Sequence, residues 1–584
     1  MAPVGADLGD QRYVTDTNVL ETSFPARDGR LVVTDFMPID GDLGGRRTSV
    51  TILAELRRLV RAEGGDIEVE VEWSPRLDYA RRPTRIEVVP GGALATSDGQ
   101  RLSLYGLPTQ PVVENEHDGS ATLRTRFTLD AGRELSLVCG LESRPESAEA
   151  DPRHWLARTA AAWRAWVNRD APFGDRAWAA PHQDLVTRSE LVLKLLSFRE
   201  TGALVAAPTT SLPEALGGQR NWHYRYTWIR DASLTVQSML ALGHEREAIE
   251  FIDWAERVAQ QGAGATASLQ VLYGIRGERY LPEQELRHLA GHRSSRPVRI
   301  GNEAAQQKQL DIFGELLDGA YELAREGHHV ADEVGPFLLE VADQACAAVG
   351  QPDVSIWEVR GPERVYTYSQ LMIWVAIDRA IQLAERYGLD GGDMDRWQRS
   401  RKEVRALVLG PGFDEGIGAF VQAVGSADLD ASSLLICLHE LLAADDPRVI
   451  STIDRTLEQL VEDGLVYRYR RDDGLPGTEG AFVLCTCWLI DVLALCGRVS
   501  EARDLFDRLC ARANHLGLYA EQIDPASGGF LGNFPQAFSH LGIINSAIYL
   551  AYAEGRESPA PEPVGSLEHR RKASRSVPGF SPRS

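Results

Sequence analysis

The chain has 584 residues, 43% hydrophobic and 25% charged, the make-up of a globular protein long enough for two or more domains. Its formal net charge of −22 argues against an electrostatic nucleic-acid binder, which needs basic surface to neutralise phosphates. No stretch approaches the ~18–20 apolar residues of a membrane span, and Met1-Ala-Pro-Val-Gly-Ala-Asp-Leu-Gly-Asp10 lacks the basic region and apolar run of a signal peptide, so a cytoplasmic location is expected.

Residues 1–145 read as an antiparallel β-sandwich. Ile67-Glu-Val-Glu-Val-Glu-Trp73 and Ala121-Thr-Leu-Arg-Thr-Arg-Phe-Thr-Leu129 alternate with the period of two that fits strands with one buried face. Pro90-Gly91-Gly92, Asp98-Gly99 and Asp118-Gly119 supply turns. A segment rich in Trp, Ala and Arg from Pro152 to Arg169 predicts a helix, taken as part of a linker over 146–181.

Helical spacing then recurs in twelve segments: Gln183–Phe198, Ala232–Leu242, Arg246–Gln260, Gln309–Arg325, Ala331–Val349, Thr367–Tyr387, Asp395–Leu409, Ala431–Leu442, Asp446–Glu462, Gly480–Cys496, Ser500–Leu516 and Ala537–Tyr552. Six antiparallel pairs closed into an inner and an outer ring, an (α/α)6 toroid over 182–554, account for them. The Pro-, Ser- and Arg-rich tail over 555–584 is expected to be disordered. Seven cysteines read as reduced, buried thiols. Cys485-Thr-Cys487 lacks zinc-site spacing and a second pair, so no metal is expected.

Connections between the helical segments alternate between short turns, such as Gly243–Glu245 and Gly497–Val499, and long loops. In an antiparallel array every second connection emerges at the same end, so one end is plain and the other elaborated. The densest long loop, Asn221-Trp-His-Tyr-Arg-Tyr-Thr-Trp-Ile-Arg-Asp231, combines aromatic faces suited to sugar rings with Arg and Asp suited to hydroxyls. Its other reading is an aromatic plug over the core with an Arg–Asp ion pair. Trp357-Glu358 opens another long loop, where an adjacent aromatic can desolvate the acid and keep it protonated. Glu521 lies between the last two helical segments, and either glutamate alone reads equally well as a solvated loop carboxylate.

Six segments, in order, carry a resemblance: Asn221–Asp231, Ser295-Arg-Pro-Val-Arg-Ile-Gly-Asn302, Gln309-Leu-Asp-Ile-Phe-Gly-Glu315, Ile356-Trp-Glu-Val-Arg-Gly361, Gly474-Leu-Pro-Gly-Thr-Glu-Gly-Ala-Phe482 and Leu531-Gly-Asn-Phe-Pro-Gln-Ala-Phe-Ser-His540. Together they resemble the bacterial branch of glycoside hydrolase family fifteen, which contains glucoamylases, glucodextranases and trehalases. The resemblance implies a β-sandwich joined to an (α/α)6 toroid and an inverting hydrolysis of a terminal α-glucosidic bond that releases β-glucose. It implies Glu358 as general acid and Glu521 as general base, with carboxyls ~6.5–9.5 Å apart to admit a water. Arg230 and Asp231 match residues that hold the terminal glucose. Trp222, Trp228 and Trp357 are expected in the pocket, and Arg299 and Arg360 fall in motif loops.

Departures from the pattern carry expectations of their own. His223 stands where related sequences usually have Asp and is expected to tune hydrogen bonding behind the site and to carry charge at mildly acidic pH. Thr227 replaces a common Cys or Ser, and Pro352-Asp-Val-Ser-Ile-Trp357 lacks a usual glycine. Relatives begin with a further stretch resembling Asp-Gly-Ser-Ile-Asp-Trp, so the sandwich is expected to lack strands and expose an edge. Trehalose is the favoured substrate. Alternatives are a glucoamylase-type activity on maltooligosaccharides or isomalto-linked glucans, an inverting glycoside phosphorylase, and an inactive carbohydrate-binding remnant. No cofactor, nucleic-acid or membrane partner is expected, and a homo-oligomer is compatible with the sequence.

Overall fold

The computed structural model describes residues 1–566 except 7, 45–49, 117–118, 142–150, 170–175, 262–268, 472 and 559–561. The turn read at Asp118 and most of the tail read over 555–584 lie outside the described residues. Within that tail Val564 is anchored, its carbonyl accepting a hydrogen bond from Tyr549 at 2.9 Å. The chain divides into two units after Arg169.

The first unit holds β1 (Ala2–Pro3), β2 (Asp10–Tyr13), β3 (Leu20–Ala26), β4 (Gly29–Phe36), β5 (Ile39–Gly41), β6 (Val50–Ile52) and β7 (Glu55–Glu63). Then come β8 (Ile67–Trp73), β9 (Arg85–Val89), β10 (Gly92–Ser97), β11 (Gln100–Tyr105), β12 (Val112–Asn115), β13 (Ala121–Leu129) and β14 (Glu134–Gly140). One sheet runs β2-β3-β4-β7-β14-β11-β10-β9 and the other β1-β8-β13-β12, all neighbours antiparallel. The two alternating segments pair with each other, Ile67 opposite Leu129 through Trp73 opposite Leu123. Their apolar face meets the larger sheet, where Val69 and Ile67 pack with Leu31, Val33 and Val60. At one sheet edge β2 is only four residues long, and its Arg12 bonds Glu21 of β3, a short charged edge of the kind that resists further pairing.

Helix α1 (Pro152–Val167) corrects the linker reading. Trp155 and Leu156 pack on Val19, Phe36 and Leu59, and Thr159 Oγ1 accepts from the Ile39 amide at 3.0 Å, so the helix belongs to the first unit. Buried apolar positions, not flexibility, determine its place.

The second unit holds α2 (Gln183–Leu196), α3 (Ile229–Ala241), α4 (Glu245–Gln260), α5 (Ile312–Arg325), α6 (Val330–Ala348) and α7 (Thr367–Arg386). There follow α8 (Met394–Leu409), α9 (Leu435–Leu438), α10 (Pro447–Gln459), α11 (Val483–Leu495), α12 (Val499–Cys510) and α13 (Ala537–Ala553). Each expected helical segment is thus occupied, although Ala431–Leu442 shrinks to a 3-10 turn and the single turn α9. Glu440 there adopts a left-handed φ of 65°, which ends the helix.

The odd-numbered helices from α3 close on themselves: α3 packs on α5, α5 on α7, α11 on α13 and α13 on α3, with the α9 region bridging α7 to α11. The even-numbered ones pack behind them, α2 on α13, α4 on α3, α6 and α8 on α7, and α12 on α11. Burial explains this segregation. Helix α11 is buried along Val483–Ala494, whereas α10 buries only Val449, Thr452, Ile453 and Thr456, one stripe at helical spacing. Long connections lead into the inner helices, at 197–228, 261–311, 349–366, 410–434, 460–482 and 511–536. Among the described residues no helix is long and apolar enough to cross a membrane.

Gly314 allows the close packing of α5 and α7. A Cβ built there would lie 2.2 Å from the Met372 carbonyl oxygen, a contact that only displacement of one helix can relieve. Gly314→Ala should therefore destabilise the second unit by about 1–3 kcal/mol through overpacking. Calorimetric unfolding checks this, and an unchanged transition would contradict the tight contact.

Candidate active site

One cleft of about 810 Å³, counting its open mouth, is lined from five of the six long connections and the helix starts that follow them. The 197–228 loop supplies Glu214, Trp222, Tyr224 and Trp228, and 261–311 supplies Asn302 and Gln307. Trp357, Glu358 and Arg360 come from 349–366, Arg468 and Leu475 from 460–482, and Glu521 and Gln536 from 511–536. The sixth loop, 410–434, acts from behind: Asp430 accepts from Trp357 Nε1 at 2.9 Å and caps the 3-10 turn through the Ser432 amide.

Arg230 and Asp231 sit in the first turn of α3, buried at 8% and 2% exposure, and form the inner end of the cleft. Arg230 donates to Asp231 at 3.2 Å and to the Ile356 carbonyl at 2.8 Å, which ties α3 to the Glu358 loop. Trp228 is held by pairing of Thr227–Trp228 with Leu272–Tyr273, and its indole donates to Glu358 Oε1 at 2.6 Å. Glu358 itself has a left-handed φ of 58°. Burial pushes its carboxyl above the ordinary glutamate range against the opposing pull of Arg230, 3.8 Å away, and of the Trp228 bond.

Glu521 precedes the two-residue strand Gln522–Ile523 inside a small sheet of five such strands. Its amide donates to the Asn533 carbonyl at 3.1 Å. Tyr224 OH donates to Oε1 at 2.8 Å, while Oε2 is buried without a hydrogen-bond partner. Burial pushes this carboxyl well above its usual range, Glu214 adds to the rise, and Tyr224 and Arg468 oppose it.

Of the residues expected from sequence, Trp222, Trp228, Arg230, Asp231, Trp357, Glu358, Arg360 and Glu521 line this cleft. Arg299 does not. It lies behind Trp222, its guanidinium 4.7 Å from the ring centre, and donates to the Gln219 and Asn221 carbonyls. Glu283 joins it to Arg360, whose guanidinium is 4.4 Å from the same ring. His223 is outside the lining too, and burial lowers its pKa to about 4, so it is neutral at mildly acidic pH rather than charged. Glu214, Tyr224 and Arg468 escaped the sequence reading. Tyr224 alternates with Trp222 and Trp228 and was legible; Ser211-Leu-Pro-Glu214 carries no local signal.

The family model for glycosyl hydrolases family 15 matches residues 180–548. The chain belongs to glycosyl hydrolases family 15. As a family 15 member it is a glycosidase acting on O-glycosyl bonds. It is 40% identical to a trehalase of Mycolicibacterium smegmatis over 95% of this chain and 84% of that one. A Mycobacterium tuberculosis trehalase is 38% identical over 97% of this chain and 85% of its own length. A bacterial glucoamylase solved with acarbose shares the fold of this family 15 chain, with a TM-score of 0.73, 14% identity and coverage of 98% and 88%.

Gly532 is a structural condition of this site. Its φ is +73°, and a Cβ there would lie 2.5 Å from Glu521 Oε2 and 2.9 Å from Glu521 Cβ. Gly532→Ala should displace the carboxylate and lower turnover roughly 100-fold, the scale set by misplacing a reacting group. Backbone strain should cost a further ~1–3 kcal/mol of stability. Steady-state rates beside a denaturation curve separate the two effects, and wild-type turnover in Gly532→Ala would contradict the assignment of this contact.

Proposed function

We propose that the chain hydrolyses trehalose with inversion, Glu358 acting as general acid and Glu521 as general base. The observation that carries the reading is two shielded glutamates on one cleft, in a chain 38–40% identical to two named trehalases across nearly its whole length. Terminal glucose occupies the inner end against Arg230 and Asp231, with aromatic walls at Trp228 and Trp357. Glu358 gives its proton to the glycosidic oxygen as the bond to the anomeric carbon breaks. Glu521 takes a proton from the water that attacks that carbon from the opposite face. Seven cysteines with no disulfide among them support action in a reducing compartment, the cytoplasm.

Stereochemistry tests this directly. Inversion of trehalose gives one β-glucose from the attacked unit and one α-glucose as leaving group, whereas retention gives two α-glucoses. Proton NMR of fresh digests of trehalose, maltose, maltotriose and isomaltose should show the equimolar anomers from trehalose and the fastest turnover on it. Glu358→Gln and Glu521→Gln should each lower kcat by roughly 10²–10⁴-fold; near-native turnover in Glu521→Gln sinks the assignment of the base.

The pH dependence follows from the buried carboxyls. Glu521 must be ionised, so the rate falls as pH drops through its raised pKa. Glu358 must be protonated, so the rate falls again as pH climbs through its own raised pKa. Burial lifts Glu214 to about 7, and its charge raises Glu521 further. A plot of kcat/KM against pH should therefore show two limbs, both above the ~4.3 of a free glutamate. A limb at that ordinary value would contradict the burial argument.

A further inference from the structure

Glu214 is a third carboxyl on the cleft wall, 3% exposed. Its Oε1 is fixed by Trp222 Nε1 at 2.9 Å, and its backbone amide donates to the Arg220 carbonyl at 3.1 Å. Its Oε2 is buried and has no hydrogen-bond partner. Native structures rarely leave a buried carboxyl oxygen unanswered, because its desolvation is then uncompensated. A cleft-lining carboxyl held at one oxygen, with the other buried and unanswered, is built to accept a hydrogen bond.

We infer that Glu214 is a substrate-binding residue whose Oε2 engages a hydroxyl of the leaving-group sugar; the inference rests on the hydrolase reading above. The chemistry of the surroundings selects a hydroxyl over a cation. Arg468 and Arg220 already supply positive charge beside Glu214.

The side of the bond follows from where Glu214 is anchored. Arg230 and Asp231 are buried lining residues, while Arg360 is an exposed one. Trp222 lies under the Arg360 guanidinium at 4.4 Å, and Glu214 is bonded to Trp222. Its unanswered oxygen therefore belongs to the wall on the mouth side, beyond the terminal glucose, where the departing unit sits.

The test compares two substrates on one preparation. Trehalose leaves as glucose, with hydroxyls to bind, whereas α-glucosyl fluoride leaves as fluoride, with none. Glu214→Gln retains a carbonyl oxygen for Trp222 and replaces the unanswered acceptor with an amide donor. It should lower kcat/KM for trehalose roughly 10- to 100-fold more than for α-glucosyl fluoride, the scale of a lost charge-assisted hydrogen bond. Loss of folded protein cancels in the ratio. Equal losses on the two substrates would overturn the inference and make Glu214 a partner of Glu521 alone, and no loss on trehalose would overturn it as well. Should wild type act on maltose and not on trehalose, the trehalose reading fails while the same ratio, read on maltose, still decides Glu214. Wild type inert to all three substrates overturns both.

Discussion

Burying a carboxylate costs far more than one hydrogen bond returns, and this cleft shields three, with Glu214 and Glu521 almost wholly buried and Glu358 three-quarters so. Arginine offsets part of that cost. Arg230 stands 3.8 Å from Glu358, and Arg468 opposes the charge of both Glu214 and Glu521. These cations are themselves fixed: Arg468 Nε donates to Glu479 at 2.8 Å, and Arg220 grips Asp473 with two donors at 2.8 and 2.9 Å. A planar fork can satisfy two carboxylate oxygens at once while a third donor reaches elsewhere, which a lysine could not do in the same geometry. The loops are thus bound to one another through the charges that the chemistry requires.

That arrangement separates stability from function. The inner helices carry apolar side chains along their length, so most of the ring is held by helix-on-helix packing. Backbone strain concentrates in the loops instead. Ser355 and Glu358 both adopt left-handed φ, at 68° and 58°, within four residues of each other. A conformation of that kind persists only where surrounding contacts over-determine it. Here they do: Trp357 is wedged among Tyr469, Phe482 and Trp488, Asp430 holds its indole nitrogen, and Arg230 holds the Ile356 carbonyl.

How much of this was legible in the sequence depended on the range of the interaction. Strands β8 and β13 follow from alternation within nine residues or fewer, and α10 from one stripe of apolar positions. Alternation of short and long connections located the functional loops because it is a property of chain order. Arg299 failed for the opposite reason. A motif places a residue in a loop, yet whether its guanidinium reaches the cleft or supports Trp222 from behind depends on Glu283, sixteen positions away, and on Arg360 from another loop. Glu214 was invisible because its meaning comes from Trp222, Arg468 and Glu521, none of which its own neighbours announce.

His223 shows what the position requires. Its Nε2 accepts from Arg225 Nε at 3.2 Å, its ring packs 4.5 Å from Tyr226, and its backbone bridges to Thr210. An aspartate, usual here in sequences of the resembling family, could accept from the same arginine, but it would add a negative charge close to a cleft already crowded with carboxyls. Neutral imidazole keeps the acceptor and omits the charge, and burial lowers its pKa far enough to keep it neutral. The Thr210 side of that bridge continues into the network that holds Glu521: Thr209 Oγ1 bonds Asn533 Oδ1 at 2.9 Å, Asn533 Nδ2 donates to the Trp222 carbonyl at 3.0 Å, and its own carbonyl accepts from the Glu521 amide. The substitution therefore acts on the electrostatic balance around the loop and leaves the hydrogen-bonded frame of Glu521 in place.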